Sequence, residues 1–338
     1  MNPDTCARRS IAPDLWDDFF SGSRLACARL ISKVENEPDL VPEIRDRLIP
    51  RLQGAVRIGI TGPPGVGKST TTAALTQRAV RDGHKAGIIA VDPSSPFTGG
   101  AFLGDRVRMH EFIGDPRVFI RSQASRDGHG GLSPSTPNVA DVLDAFGMDR
   151  IFIETVGVGQ AELDVLTCAD LVILILQPGT GDVIQTLKAG IIEVADLILI
   201  NKADMPGVGG LQDSLQFLFE MSVRDRAKPV PPVLAATAVQ DKGLDEVSAE
   251  MERLIRSHRE SGRLQEKKRA RLENEIKAAL EQDLWERFLA VGGRDENIGS
   301  VAERLVRRNE SPYPYIRGLS ARIRMEFLKD GKKDTHAG

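Results

Sequence analysis

An α/β fold, a mostly parallel sheet with helices on both faces, follows from three observations. Short β-branched or leucine-rich runs alternate with helix-compatible segments from Arg57 to Ala236. One of them, Leu171–Leu176, is apolar without interruption, as a strand buried on both faces requires. The octapeptide Gly62-Pro63-Pro64-Gly65-Val66-Gly67-Lys68-Ser69 stands between an apolar run and a helical segment, the context that turns a G-x-x-x-x-G-K-S match into a P-loop. Together they predict a P-loop NTPase with helical extensions at both ends, divided as residues 1–50, 51–245 and 246–338.

From Ala12 to Leu52, Leu25, Ala28, Leu30, Ile31 and Val34 recur at helical spacing, with Ser21-Gly22-Ser23 as a start and Glu37-Pro38 as a break. A second helix is expected over Val41–Leu52, the whole acting as a buttress on the next domain. Strands are then expected at Arg57–Thr61, Lys85–Val91, Val118–Arg121, Arg150–Glu154, Leu171–Gln177, Leu197–Asn201 and Val233–Ala236, with helices at Ser69–Asp82 and Thr136–Phe146. A Gly/Ser-rich loop is expected after Arg121. After Asp245 strands stop and charged helix formers take over. Leu272, Ile276, Leu280, Leu284 and Phe288 fall every fourth residue, one apolar stripe that must be covered, with a second subunit as its natural cover.

A net charge of -3 gives no electrostatic case for nucleic acid as a partner. The basic cluster Lys267-Lys268-Arg269 with Arg271 lies among Glu266, Glu273 and Glu275, so it reads as a solvated helix face. Cys6, Cys27 and Cys168 are isolated and odd in number, which fits free thiols in a reducing compartment. Arg8 and Arg9 precede no apolar stretch of the secretory kind, and no run is long enough to span a bilayer. A cytoplasmic location is expected, with no membrane.

The chemistry sits at strand ends. Glycines in the P-loop let backbone N–H groups turn inward onto phosphate oxygens. Lys68 can reach the β- and γ-phosphates, the Ser69 hydroxyl can ligate Mg²⁺, and the helix that follows offers its positive end. Asn201-Lys202-Ala203-Asp204 follows another strand. Asp204 can accept from N1–H and the 2-amino group of guanine, a donor pattern adenine lacks, so GTP and GDP are the expected substrate and product. The alternative for each motif is a plain turn or polar loop. Glu154-Thr155-Val156-Gly157 ends a third strand: Glu154 can hold Mg²⁺ directly or through water, and the Gly157 N–H can sense a γ-phosphate. Glu154 stands where Asp is usual, and Gln160 is out of place for orienting water. Asp92, at a strand end, and Asp105, in a Gly-rich loop, are Mg²⁺-shell or water-orienting candidates, or else turn aspartates capping local N–H groups.

The cradle, Val91-Asp-Pro-Ser-Ser-Pro96, Gly104-Asp-Arg106, Glu154-Thr-Val-Gly-Val-Gly-Gln160, Pro178-Gly-Thr-Gly-Asp182 and Asn201-Lys-Ala-Asp204 together resemble the MeaB/ArgK family of G-proteins over roughly residues 50–245. Those proteins chaperone adenosylcobalamin-dependent acyl-CoA mutases such as methylmalonyl-CoA mutase. The resemblance implies that Gly62, Pro63, Gly65, Val66, Gly67, Lys68, Ser69 and Thr70 hold the nucleotide and that Asp92, Asp105 and Glu154 form the metal and switch shell. It further implies that Asn201, Lys202 and Asp204 bind guanine, with Thr237 and Ala238 as the closing loop. Residues 177–188 become an additional switch, in which Asp182 and Lys188 link nucleotide state to the mutase. Family members dimerise through the C-terminal extension. Ser122-Gln-Ala-Ser125, Asp127-Gly-His129 and Thr180 depart from the commonest family forms, which touches the choice of partner and not the nucleotide chemistry.

The competing readings are a nickel-insertion metallochaperone GTPase, a kinase linked to amino-acid transport, and a non-catalytic GTP-gated scaffold. The first needs a Cys/His site, and no cysteines or histidines here stand at ligand spacing.

Overall fold

The computed structural model describes residues 10–93, 109–125, 132–155, 161–179, 191–222, 229–291 and 298–333. Among the described residues seven strands form one sheet in which every pairing is parallel: β1 (Val56–Thr61), β2 (Ala86–Pro93), β3 (Val118–Ser125), β4 (Arg150–Glu154), β5 (Leu171–Leu176), β6 (Leu197–Ile200) and β7 (Val233–Ala235). Their order is β3-β2-β4-β1-β5-β6-β7, which places the P-loop strand β1 at the centre. Every residue of β1, β4, β5 and β6 is buried, which explains their apolar runs.

Helices α1 (Pro13–Phe20), α2 (Arg24–Asn36) and α3 (Val41–Leu48) precede the sheet. Ser23 caps α2 by accepting from the Ala26 N–H at 3.3 Å, as the Ser21–Ser23 start suggests. Trp16, Leu30, Ile31 and Ile44 share one core with Ile89 and Ile153 of the sheet and with Val139 and Leu143 of α5 (Thr136–Ala145). The opposite face is covered by α4 (Lys68–Arg81) and α9 (Leu244–Glu260), with Leu75 and Met251 packed among Ile58, Phe152 and Ile173. Helix α6 (Ala161–Cys168) joins the first core through Val165, while α7 (Ile191–Val194) and α8 (Val208–Ser222) pack on β5 and β6.

Charge also ties the N-terminal helices to the sheet. The buried Arg57 guanidinium donates to Asp141 Oδ1 at 2.5 Å, and Arg45 from α3 approaches the other carboxylate oxygen at 3.5 Å. The Asp141 carboxylate holds the Arg57 pKa above its ordinary value against the opposing effect of burial. Asp141→Asn leaves a buried guanidinium short of its counter-charge and is expected to cost about 3 kcal/mol, read from the urea midpoint at unchanged slope.

Two boundaries differ most from the sequence reading. Strand β3 runs through Ser125, not Arg121, because the buried Gln123 finds partners in Glu35 (3.0 Å), Ser135 (3.2 Å) and Thr136 (2.9 Å). The compact units divide between Gln265 and Glu266, not at Asp245. Helix α9 belongs to the first unit because Met251 and Ile255 are in its core and Glu252 pairs both carboxylate oxygens with Arg150 at 2.8 Å.

The second unit contains most of α10 (Arg263–Val291), then α11 (Ile298–Arg308) and α12 (Pro312–Lys333). Along α10 the stripe of Leu272, Ile276, Leu280 and Leu284 is about half exposed. Among the described residues no helix is long and apolar enough to cross a membrane.

Candidate functional site

The parallel strands bring their C-terminal ends to one side of the sheet, where ligands bind in open α/β folds. Here β1 leads into the P-loop. Gly62 has φ 142°, and a Cβ there would lie 2.1 Å from the Ile175 carbonyl oxygen, so only glycine lets the loop leave β1 beside β5. Gly67 has φ 98° and caps α4, and a Cβ on it would stand 2.3 Å from Asn201 Nδ2. The turn therefore admits Asn201 only because Gly67 has no side chain.

Lys68 begins α4 and is buried. Its ammonium donates to the carbonyls of Gly62 at 2.9 Å and Pro63 at 3.0 Å, which holds the charge inside the curl of the loop. Thr70 lies in the first turn of the same helix, whose N–H groups and dipole favour an anion at that end. The next residue, Ser69, donates from Oγ to Glu154 Oε1 at 2.6 Å, and both residues are buried. This contact follows from register: Ile60 pairs with Glu154, which also pairs with Ala90 of β2. Beyond Glu154, Thr155 continues the pairing through its N–H to Ile60 O (3.1 Å) and its hydroxyl to Thr61 (3.2 Å).

Ser69 and Glu154 are adjacent hard oxygen donors, the chemistry Mg²⁺ selects. Their oxygens stand slightly closer than neighbouring vertices of an Mg²⁺ octahedron, about 2.9 Å for bonds of 2.0–2.1 Å. A shift of a few tenths of an ångström thus admits the ion, and the pair fits it. The Asp92 backbone lies on this same side, pairing with Ala124 at the end of β2. The Asp92 side chain, Asp105, Gly157, Asp182 and Lys188 lie outside the described residues.

Asn201, just beyond β6, is buried. Its Nδ2 donates to the Val66 carbonyl at 2.7 Å, and its Oδ1 accepts the Ala238 N–H at 3.0 Å. Asn201 thus clamps the phosphate loop to the loop after β7. Lys202 takes a left-handed backbone (φ 57°) and donates to the Gly65 carbonyl at 2.7 Å. The chain then turns, with Met205 N–H on Lys202 O at 2.9 Å, and leaves the Asp204 carboxylate exposed to solvent. Thr237 and Lys242 pair across the loop after β7, N–H to carbonyl at 3.0 and 3.3 Å.

The structure thus brings Gly62–Thr70, Glu154, Asn201, Lys202, Asp204, Thr237 and Ala238 to one side of the sheet. Two arrangements besides the Arg57–Asp141 pair had no sequence signal. Arg78 of α4 pairs with Asp241 and Asp245, and Arg121 pairs with Glu35 of α2. The thiols of Cys27 and Cys168 are buried, and burial pushes the Cys27 thiol up to about 12, which keeps it from acting as a thiolate ligand.

Residues 27–292 match the family model described as methylmalonyl Co-A mutase-associated GTPase MeaB. A putative GTPase of Pyrococcus abyssi is 43% identical over 307 residues, 89% of this chain and 93% of the relative. GTPase ArgK of Escherichia coli is 31% identical over 314 residues, 91% and 95% of the two chains. A crystal structure described as LAO/AO transport system kinase superposes with a TM-score of 0.68 at 26% identity, covering 94% of this chain and 97% of the other. Combined with the P-loop and the parallel sheet, these matches establish that the chain is a P-loop GTPase belonging to the MeaB family.

Proposed function

We propose that this GTPase converts GTP to GDP and phosphate with Mg²⁺ and uses the cycle to load, protect or reactivate an adenosylcobalamin-dependent acyl-CoA mutase. The observation that carries the nucleotide half is the double contact of Asn201, which joins the phosphate loop at Val66 to the base-side loop at Ala238. The partner half rests on the family, whose description names a mutase.

In this reading Lys68 and the N–H groups of Gly65–Thr70 neutralise and orient the phosphates. Ser69 and Glu154 hold Mg²⁺, which supplies charge neutralisation at the β- and γ-phosphate oxygens. Asp92 and Asp105 complete the metal and switch shell, and the Gly157 N–H reports the γ-phosphate. Asn201, Lys202 and Asp204 read guanine with Thr237 and Ala238 closing over it, while Asp182 and Lys188 relay nucleotide state to the mutase. Catalysis of this kind is positioning and electrostatic preorganisation more than covalent chemistry.

The test is co-purification with candidate mutases in GDP and in a non-hydrolysable GTP analogue. A complex whose amount changes between the two nucleotides supports the chaperone reading, and identical capture in both argues against it. Labelled γ-phosphate is expected in free phosphate; label on protein would favour a kinase.

A homodimer formed by the C-terminal arm is part of the proposal, supported by the exposed stripe on α10. Leu280 is 57% exposed, so Leu280→Asp barely disturbs the folded chain yet places a charge in the middle of that stripe. Sedimentation is expected to give a dimer for the parent and a monomer for the variant. Dimers of equal strength in both would place the contact elsewhere.

A further inference from the structure

We infer that Arg78 is a positioning residue for guanine selectivity, acting through the loop that follows β7. This rests on the guanine reading of Asn201, Asp204 and that loop.

Arg78 lies ten residues beyond Lys68 on the same helix, about 15 Å from the phosphate end. It is only 3% exposed, yet its guanidinium ends on two solvent-facing carboxylates. Nη1 stands 2.9 Å from Asp241 Oδ1, and Nε donates to Asp245 Oδ1 at 3.0 Å. The helix carbonyl of Ala74 accepts a further bond at 3.2 Å, which fixes the direction of the fork.

The two carboxylates belong to different structures. Asp245 opens α9 and also accepts from Arg81 at 3.1 Å, so it anchors a helix and retains a partner without Arg78. Asp241 belongs to the closing loop and has a left-handed backbone, φ 56°, that aspartate tolerates in turns. Three residues earlier, Ala238 donates to Asn201 Oδ1. Asn201 in turn holds Val66 in the phosphate loop, and the phosphate loop runs into α4, which carries Arg78. The contacts form a closed ring: Val66, Asn201, Ala238, Asp241, Arg78 and back along α4 to Lys68. Helix α4 is the rigid member of that ring, so Arg78 fixes the height of the base loop relative to the phosphates. Without it the root of the loop keeps the Asn201 contact, the Ala203 N–H on the Ala236 carbonyl at 3.0 Å and the burial of Ala238, while the Asp241 end keeps only the loop's own turn bonds and the Thr237–Lys242 pairing.

A loosened loop weakens binding only for the base it fits. ADP shares the phosphates and ribose of GDP and differs at the base, so the GDP-to-ADP affinity ratio isolates the effect. GDP binding is read by calorimetry and ADP binding by competition. Arg78→Met, which keeps the buried stem, is expected to weaken GDP about tenfold and leave ADP unchanged. Arg78→Lys, with one ammonium for two carboxylates, should fall between parent and Met. Asp241→Asn should follow Arg78→Met and remains informative if that variant folds poorly. Asp245→Asn should lower the melting temperature and leave the ratio alone. Parallel losses of GDP and ADP in Arg78→Met and Asp241→Asn, or a ratio falling as far in Asp245→Asn as in Asp241→Asn, would overturn the inference. A parent protein that binds GDP and ADP equally would instead remove the guanine reading beneath it.

Discussion

Lys68→Ala is expected to reduce GTP turnover at least about a hundredfold, the scale of losing one preorganised donor aimed at developing charge. The physical basis is placement: the ammonium is held in the loop by two carbonyls at 2.9 and 3.0 Å and cannot be replaced by a mobile cation from solvent. Because the stem is buried, some stability is lost too, so turnover is compared at a temperature where circular dichroism shows both proteins folded. The proposed C-terminal dimer should be unaffected, since the substitution lies in the first unit. Undiminished phosphate release would remove the P-loop assignment.

Asp204→Asn should reverse base preference instead of abolishing binding. An aspartate accepts both the N1–H and 2-amino protons of guanine, and losing a charged double acceptor is expected to weaken GDP about a hundredfold. Xanthine carries an oxygen where guanine has the 2-amino group, and the asparagine amide can donate to it. XDP should therefore gain what GDP loses. The side chain is exposed, so the fold tolerates the change within about 0.5 kcal/mol. Equal affinity of GDP for parent and variant would show that Asp204 does not face the base.

Much of this site is legible in the sequence because its parts are short segments anchored at strand ends. Once β1, β4 and β6 are in one parallel sheet, Gly62–Ser69, Glu154 and Asn201 have to meet on its C-terminal side. The meeting of Ser69 with Glu154 needs only the register of two central strands. Arg78 is different: its partner Asp245 lies 167 residues away, and a lone arginine on a helix reads as a solvated charge. Arg57 and Asp141, 84 residues apart, are silent for the same reason. The sequence also stops β3 too early, since Ser122–Ser125 has loop composition and its extended form depends on Glu35 reaching Gln123 from α2. Leu244–Glu260 carries the charge density of the following arm, and only packing against α4 assigns it to the first unit. Composition senses local propensity, and these cases were decided by partners distant along the chain.

The first core has a consequence for synthesis. Trp16, Leu30, Ile31 and Ile44 are made first, but the surfaces that cover them include Val139, Leu143, Val165 and Val172. At about 5–20 residues per second, the ribosome needs on the order of ten seconds to deliver those partners. During that interval the apolar sides of three short helices, too short to persist alone, have mainly one another to rest on. The nascent chain therefore depends on early shielding, and pausing between residues 50 and 139 would lengthen its exposure to aggregation.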